Sequence, residues 1–169
     1  LLYLSDSIVE AVGNIGIGVG ALSGTVSNNI QAGGTIAIGN TAAGDSTGDY
    51  TDSVIIGDAA VKDATADFTE GVAIGKNAGF SLDAATTNIS GSVFIGMQAG
   101  RNIGRATTDP AASQNDIGIG KNAFFGTAAG FSSAGDNIAI GSNANGNTTI
   151  LDVKGSIMIG HGGSSGKTG

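Results

Sequence analysis

The sequence predicts an all-β fold, namely a parallel β-solenoid or β-roll of about eight rungs. Three observations predict it: one short phrase recurs eight times along the 169 residues, its centre is rich in β-branched residues, and each copy reaches a glycine that leads into a polar, glycine-rich segment. β-Branched residues favour strands, whereas glycine and short polar residues favour turns. A chain that alternates the two can bury its apolar residues by stacking one strand-turn unit on the next.

Each copy of the repeat has eight positions: a small or polar residue, Ile or Val, a variable residue, Ile, Gly, two variable residues and a small residue, usually Ala. The copies, numbered here as repeats 1 to 8, begin at Asn14, Thr35, Ser53, Gly71, Ser92, Asp116, Asn137 and Ser156. The fourth position is always isoleucine, at Ile17, Ile38, Ile56, Ile74, Ile95, Ile119, Ile140 and Ile159. The fifth is always glycine, at Gly18, Gly39, Gly57, Gly75, Gly96, Gly120, Gly141 and Gly160. Successive glycines are 21, 18, 18, 21, 24, 21 and 19 residues apart, so only the connecting segments vary in length.

The second to fourth positions of each copy are predicted to form a short strand. Successive side chains of a strand point to opposite faces, so the two Ile/Val residues share one face and the residue between them takes the other. The middle residues are mostly small: Gly16, Ala37, Ile55, Ala73, Phe94, Gly118, Ala139 and Met158. Glycine then ends the strand, because it can take the positive φ of a sharp corner. A helix is excluded, since glycine and β-branched residues have poor helix propensity.

The repeats divide the chain into three parts. We expect residues 1–13 to be an incoming segment, residues 14–163 to be the repeat domain, and residues 164–169 to be a polar linker to a following module. Because residue 1 is leucine and the last residues are rich in glycine and serine, we expect the chain to be a piece of a longer protein.

The composition argues against several classes of protein. With 40% hydrophobic and 12% charged residues, the chain is too apolar for a disordered coil. No apolar run approaches the roughly 20 residues of a membrane span, so we expect no membrane insertion by these residues. A net charge of −7 with scattered cations argues against nucleic-acid binding. The absence of cysteine excludes a disulfide framework and a thiolate metal site.

Two glycine-rich strings resemble phosphate-binding motifs. Residues 118–123 spell G-x-G-x-x-A, as in dinucleotide-binding loops, but they are one copy of the repeat and no helical pattern follows them. Residues 161–168 come close to a P-loop, but His161 replaces the first glycine and the sequence ends before the helix that this motif requires. We therefore expect no cofactor.

Catalytic and metal-binding groups are scarce. Asp45, Asp49 and Asp52 could offer oxygen ligands to Ca²⁺, but their spacing is not that of an EF-hand, so a solvated acidic loop is the favoured interpretation. His161 is the only histidine and occupies a variable corner position. The carboxylates show no pairing of the kind that a glycosidase needs. The sequence therefore predicts no catalytic residue, no metal site and no enzymatic activity.

The aromatic residues and the long spacers are the candidates for contact with a partner. Phe80 and Phe131 each follow an Ala-Gly step and are expected in the core or at the rim of a spacer. Phe124 and Phe125 could form a contact patch, but packing beneath a long loop is favoured. By length alone, residues 45–52 and the interval 96–120 are expected to project furthest and to carry any binding function.

The repeat resembles a known family. Residues 71–78, Gly-Val-Ala-Ile-Gly-Lys-Asn-Ala, and residues 137–144, Asn-Ile-Ala-Ile-Gly-Ser-Asn-Ala, look like head repeats of trimeric autotransporter adhesins. Similar repeats occur in phage tail fibres. The resemblance runs from about Asn14 to Gly163 and implies a left-handed parallel β-roll with three chains to a head.

The spacing of 18 to 24 residues is wider than in adhesin heads, and spacers such as 99–104 and 125–130 resemble those of phage fibres. The resemblance therefore implies a host-attachment segment of a phage tail fibre or other virion fibre. A bacterial surface adhesin or extracellular filament protein is the alternative. In either setting a host-cell receptor or glycan is the expected partner, and the repeat specifies neither.

The strand pattern also predicts self-association. If the small middle residues fill a narrow coil, the Ile/Val face remains as an apolar stripe that a soluble monomer would not expose. Together with the resemblance, the stripe predicts a homotrimer whose axis is lined by the isoleucine ladder. The opposite orientation, with isoleucine inside each coil and the small face at the axis, also predicts a trimer.

Overall fold

The chain is a parallel β-solenoid, as the repeat predicts. The computed structural model describes residues 11–23, 32–82, 89–103, 114–126, 135–145 and 155–162, and in these ranges it contains thirteen short strands and no helix. The strands form two sheets in which every neighbouring pair is parallel. Parallel neighbours require the chain to go round once between them, so each sheet is one side of a coil.

The larger sheet contains the predicted strands. Its eight members are β2 (Ile15–Ile17), β4 (Ile36–Ile38), β6 (Val54–Ile56), β8 (Val72–Ile74), β10 (Val93–Ile95), β11 (Ile117–Ile119), β12 (Ile138–Ile140) and β13 (Ile157–Ile159). They pair in that order without any shift of register, so each repeat position lies directly beside the same position of the next repeat.

The smaller sheet was not predicted. Its members are β1 (Ala11–Val12), β3 (Ala32–Gly33), β5 (Tyr50–Thr51), β7 (Phe68–Thr69) and β9 (Ile89–Ser90). β1 pairs with β3, so paired backbone is present before Asn14. Both sheets are present over about five turns, against about eight rungs predicted. Beyond β9, the described residues continue only the larger sheet.

The middle residue of each large-sheet strand points into the coil. The residues Ala37, Ile55, Ala73, Phe94 and Ala139 are fully buried, while the Ile/Val residues on either side of each are partly exposed. The alanine that closes the repeat is buried as well, at Ala21, Ala42, Ala60, Ala78, Ala99, Ala123 and Ala144. Of the two orientations open to the sequence, the coil therefore has the small face inside and the Ile/Val face outside.

The interior holds larger side chains than a narrow coil suggests. Tyr50, Phe68, Phe94 and Phe124 are all buried in it. Phe124 is thus a core residue of the coil and neither a contact patch nor the underside of a loop. The Phe68 and Phe94 rings stack with their centroids 6.3 Å apart. Phe94 and Phe124 fit into the coil because a glycine lies opposite each ring.

Large and small residues compensate for each other within a turn. The middle strand residue meets the residue six places later, across the coil. Phe94 faces Gly100, where an added Cβ would overlap the ring, and Gly118 faces Phe124, where an added Cβ would lie 3.0 Å from Cδ2. The same interior volume is thus filled by an aromatic ring from opposite walls in successive repeats. Native packing density explains this exchange, since a coil of constant cross-section holds about one large side chain here.

A ladder of buried polar side chains precedes the larger sheet. At the first position of five repeats, a side-chain oxygen accepts the backbone N–H of the same position in the next repeat, whereas the Thr35 hydroxyl donates to Tyr50 O at 3.1 Å. Ser53 Oγ accepts from Gly71 N at 3.2 Å, and Asp116 Oδ1 accepts from Asn137 N at 3.0 Å. The interior-facing backbone of this corner would otherwise lack a partner, which explains the preference for Ser, Thr, Asn and Asp at this position.

Candidate assembly interface

The outer face of the larger sheet is made only of isoleucine and valine. Its first column is Ile15, Ile36, Val54, Val72, Val93, Ile117, Ile138 and Ile157, and its second column is Ile17, Ile38, Ile56, Ile74, Ile95, Ile119, Ile140 and Ile159. We call these sixteen residues the Ile/Val face. The register places each side chain beside its equivalent in the next strand, so the face is a continuous apolar ladder.

Side chains of the Ile/Val face are more exposed on the first and last strands than on the strands between them. Ile17 in the first repeat is 42% exposed and Ile159 in the last is 72% exposed, whereas the inner members are partly covered by the strands on both sides. Eight strands at about 4.8 Å and a width of two outward residues give a face of roughly 35 by 10 Å. A soluble monomer seldom exposes a larger contiguous apolar patch, and patches of this size are often functional.

The two edges of the Ile/Val face are polar. Before the strands stand Asp52, Glu70 and Asp136, all exposed. After the corner glycines stand Lys76 and Lys121, also exposed, together with Asp58 and Asn40. An apolar centre with a polar rim is the usual composition of a protein interface.

One ion pair orders part of the rim. Asp58 accepts hydrogen bonds from Asn40 Nδ2 at 3.1 Å and is 3.1 Å from Lys76 Nζ. The hydrogen bond from Asn40 and then the Lys76 ammonium lower the pKa of the Asp58 carboxyl from its usual value. Both partners are solvated, so the pair orients the rim more than it stabilises the fold.

The predicted acidic loop is part of the wall of the coil. Residues 46, 48 and 50 are buried, and Thr47 N donates to Ala64 O of the next turn at 2.9 Å, so the segment does not project as its length suggested. The Tyr50 hydroxyl donates to Val61 O at 3.1 Å, and burial raises the pKa of that phenol. Because this segment pairs with the next turn of the coil, its residues are less exposed than they would be in a hairpin loop.

The three aspartates of that segment do not converge on a cation site. Asp45 is 3.1 Å from Lys62 Nζ, and its hydrogen bond raises the pKa of that lysine. Asp49 contributes its backbone N–H, which donates to Asp67 Oδ1 at 2.9 Å. Across the described ranges, no three His, Cys, Asp or Glu residues form a group that could hold a metal ion.

The remaining motifs take the places that the repeat predicts. Gly118 is a buried strand residue and the described residues that follow it, 119–126, contain no helix, so the dinucleotide-like string is part of the solenoid. His161 is an exposed residue after the last corner glycine. The rest of the P-loop-like string, Phe131 and residues 104–113 of the interval 96–120 lie outside the described residues.

The structure also reveals a cluster that sequence reasoning missed. The Arg101 guanidinium carbon lies 5.2 Å from the Phe80 ring centroid and 5.6 Å from the Phe125 ring centroid. The signal was present, because all three residues occupy the fifth position after a corner glycine in successive repeats. Recognising it required knowing that this position points outward.

Comparisons with protein-family models, with curated proteins and with solved structures found no match. In the described residues, no helix is long and apolar enough to cross a membrane.

Proposed function

We propose that this chain is a structural, host-attachment segment of a virion fibre of the tail-fibre type, in which three copies pack through the Ile/Val face. The observation that carries the proposal is the continuous apolar face on the outside of a coil whose interior is already filled. The predicted left-handed coil and the number of three chains are supported by the resemblance of the repeat to trimeric adhesin heads. No catalytic step belongs to this function.

The energetics favour association through this face. Covering a single large aliphatic side chain completely contributes about 1.5–3 kcal/mol, and sixteen such residues line the face. Because each inner residue is already partly covered, only part of this contribution remains, but the sum is still large. A closed ring of copies uses the whole face and avoids open-ended polymerisation. Three parallel solenoids around one axis would form a rod, which suits a fibre.

Light scattering on the purified chain tests the assembly. The wild type should have the mass of three chains. Ile74→Asp should abolish the complex, because assembly would bury an unpaired carboxylate from each copy at one level of the axis. Thr69→Asp is the matched control: Thr69 lies in the same turn, also faces outward, but belongs to the smaller sheet. A heat-stable, soluble wild-type monomer would contradict the proposal.

The attachment role has a separate test. Fluorescently labelled assembly should bind the surface of at least one strain in a panel of bacteria, and unlabelled protein should displace it. An assembly of three chains that binds none of the strains would limit the function to that of a structural spacer.

A further inference from the structure

One side of the solenoid carries three basic residues, although the chain as a whole is acidic. Lys76, Arg101 and Lys121 lie in repeats 4, 5 and 6, within the segments that follow the corner glycines. They are three of the seven cations of a chain whose net charge is −7. The described residues of these segments, 75–82, 96–103 and 120–126, contain no carboxylate. We call this surface the cationic face.

Arg101 is held in place by rings on both sides. Phe80 comes from the preceding repeat and Phe125 from the following one, with centroids 5.2 and 5.6 Å from the guanidinium carbon. The guanidinium is attracted to both ring faces, so its orientation is fixed before any ligand arrives. Among the described residues, Arg101 has no ion pair, and its buried Nε lacks a hydrogen-bond partner. Within the described ranges, no group accepts a hydrogen bond from its terminal N–H groups, which can therefore meet an external acceptor.

The other cations differ from Arg101 in their partners. Lys76 is 3.1 Å from Asp58 of repeat 3, at the border of the face, with 61% of its side chain exposed. Lys121 is exposed and has no ion pair in the described part of the chain. Lys62 stands five residues after its corner glycine, as Arg101 does. Its Nζ, however, lies 3.1 Å from an Asp45 carboxylate oxygen and 3.3 Å from one of Asp63. Among the described residues, the charge that no carboxylate pairs thus lies on Arg101 and Lys121, in repeats 5 and 6.

Amide side chains lie along the chain between the position of Lys76 and Lys121, one residue after the corner glycine, and the position of Arg101, five residues after it. Asn77 and Gln98 stand two residues after the corner glycine in repeats 4 and 5 and are partly exposed, whereas Asn122 at the same position of repeat 6 has a buried Oδ1 and donates to Asn143 Oδ1 at 2.9 Å. Amides both donate and accept, which suits hydroxyl groups. The neighbouring Met97 is 42% exposed and adds apolar surface. The face therefore offers charge, hydroxyl-binding groups and apolar contact together.

We propose that the cationic face binds an acidic polysaccharide, with a carboxylate of the glycan on Arg101 and further acidic groups near Lys76 and Lys121. This inference rests on the proposed attachment function and names the class of its ligand. Lys76 and Lys121 are two repeats apart, about 10 Å at the spacing of strands, so the site fits a polymer whose charges are separated by neutral groups. Duplex DNA carries one charge about every 1.7 Å, and a chain of net charge −7 would repel it.

Isothermal titration of the assembled protein tests the proposal with three polymers: polygalacturonate, hyaluronan and, as the neutral polymer, dextran. At least one acidic polymer should bind, dextran should not, and added salt should weaken the binding. Arg101→Gln should lower the affinity at least tenfold. Lys62→Gln removes the same charge outside the face and should change the affinity less than twofold.

Several outcomes would overturn the inference. These are no binding of either acidic polymer, equal losses for Arg101→Gln and Lys62→Gln, and tighter binding of single-stranded DNA than of any glycan. Light scattering on the same samples separates this failure from that of the proposed function. A three-chain assembly that binds no acidic polymer contradicts only the ligand assignment, whereas a monomer contradicts the fibre as well.

Discussion

The corner glycines are required for two independent reasons. Gly75 has φ of +133°, a region that residues with a side chain rarely enter, and a Cβ at this position would lie 2.6 Å from the carbonyl oxygen of Gly96 in the next repeat. The corners of neighbouring repeats therefore stack in direct backbone contact. The positive φ was predictable from the sequence, but the contact depends on the perfect register of the ladder.

We expect Gly75→Ala to destabilise the protein by about 2–5 kcal/mol, because strain at this φ adds to steric overlap with Gly96. Gly160→Ala is the matched control. Gly160 has φ of +146° but no atom of the described residues within 4 Å of an added Cβ, so only the strain of about 1–3 kcal/mol applies. Urea unfolding measures both. Equal losses in the free energy of unfolding of the two variants would show that backbone contact with the next repeat does not restrict the residue at the corner.

At the scale of an element, each turn is packed as a unit. The ring of Phe94 fills the space above Gly100, and the ring of Phe124 fills the corresponding space above Gly118. Phe124 takes φ of +53° at the position where Gly100 has +67°, so a phenylalanine fits the backbone there. The size of the side chain that fits at one wall of the coil therefore depends on the size of the side chain at the opposite wall.

A double-mutant cycle tests this compensation. Gly100→Phe alone should destabilise by overpacking, and Phe94→Gly alone by leaving a cavity. The double variant Phe94→Gly, Gly100→Phe should be more stable than the sum of the two losses predicts, with a coupling of about 1–3 kcal/mol in urea unfolding. Additive losses would mean that the two side chains do not share one space.

At the scale of the whole molecule, the solenoid is a stack in which each repeat contacts its neighbours. The strands of the larger sheet pair in the same register whether the connecting segments make repeats of 18 or 24 residues. Stability of such a stack is approximately a sum over repeats and their interfaces. The Ile/Val face and the cationic face are both properties of the stack and exist in no single repeat.

We expect the stack to tolerate the removal of one whole repeat. Deleting residues 57–74 joins Ile56 to Gly75, which restores strand, corner and interior in register, so the shortened chain should keep its circular dichroism spectrum and unfold at a lower urea concentration. Deleting only residues 57–65 removes half a turn and should prevent folding, because the two sheets can no longer both stay in register. A folded half-turn variant would contradict this account.

Local sequence accounts for the strands of the larger sheet, their glycine corners and the alternation that sends Ile74 and Ala73 to opposite faces. These features depend on β-propensity, on glycine's φ and on a period of two, all of which act within a few residues. The candidate interface was predicted for the same reason, since the Ile/Val columns can be read directly from the repeat. Only the tertiary structure decided which face is inside, because that depends on how much volume one coil encloses. It also decided that Tyr50 belongs to a second sheet, and that Phe80, Arg101 and Phe125 stack, because both depend on contacts between residues about 20 positions apart, brought together by the pitch of the coil.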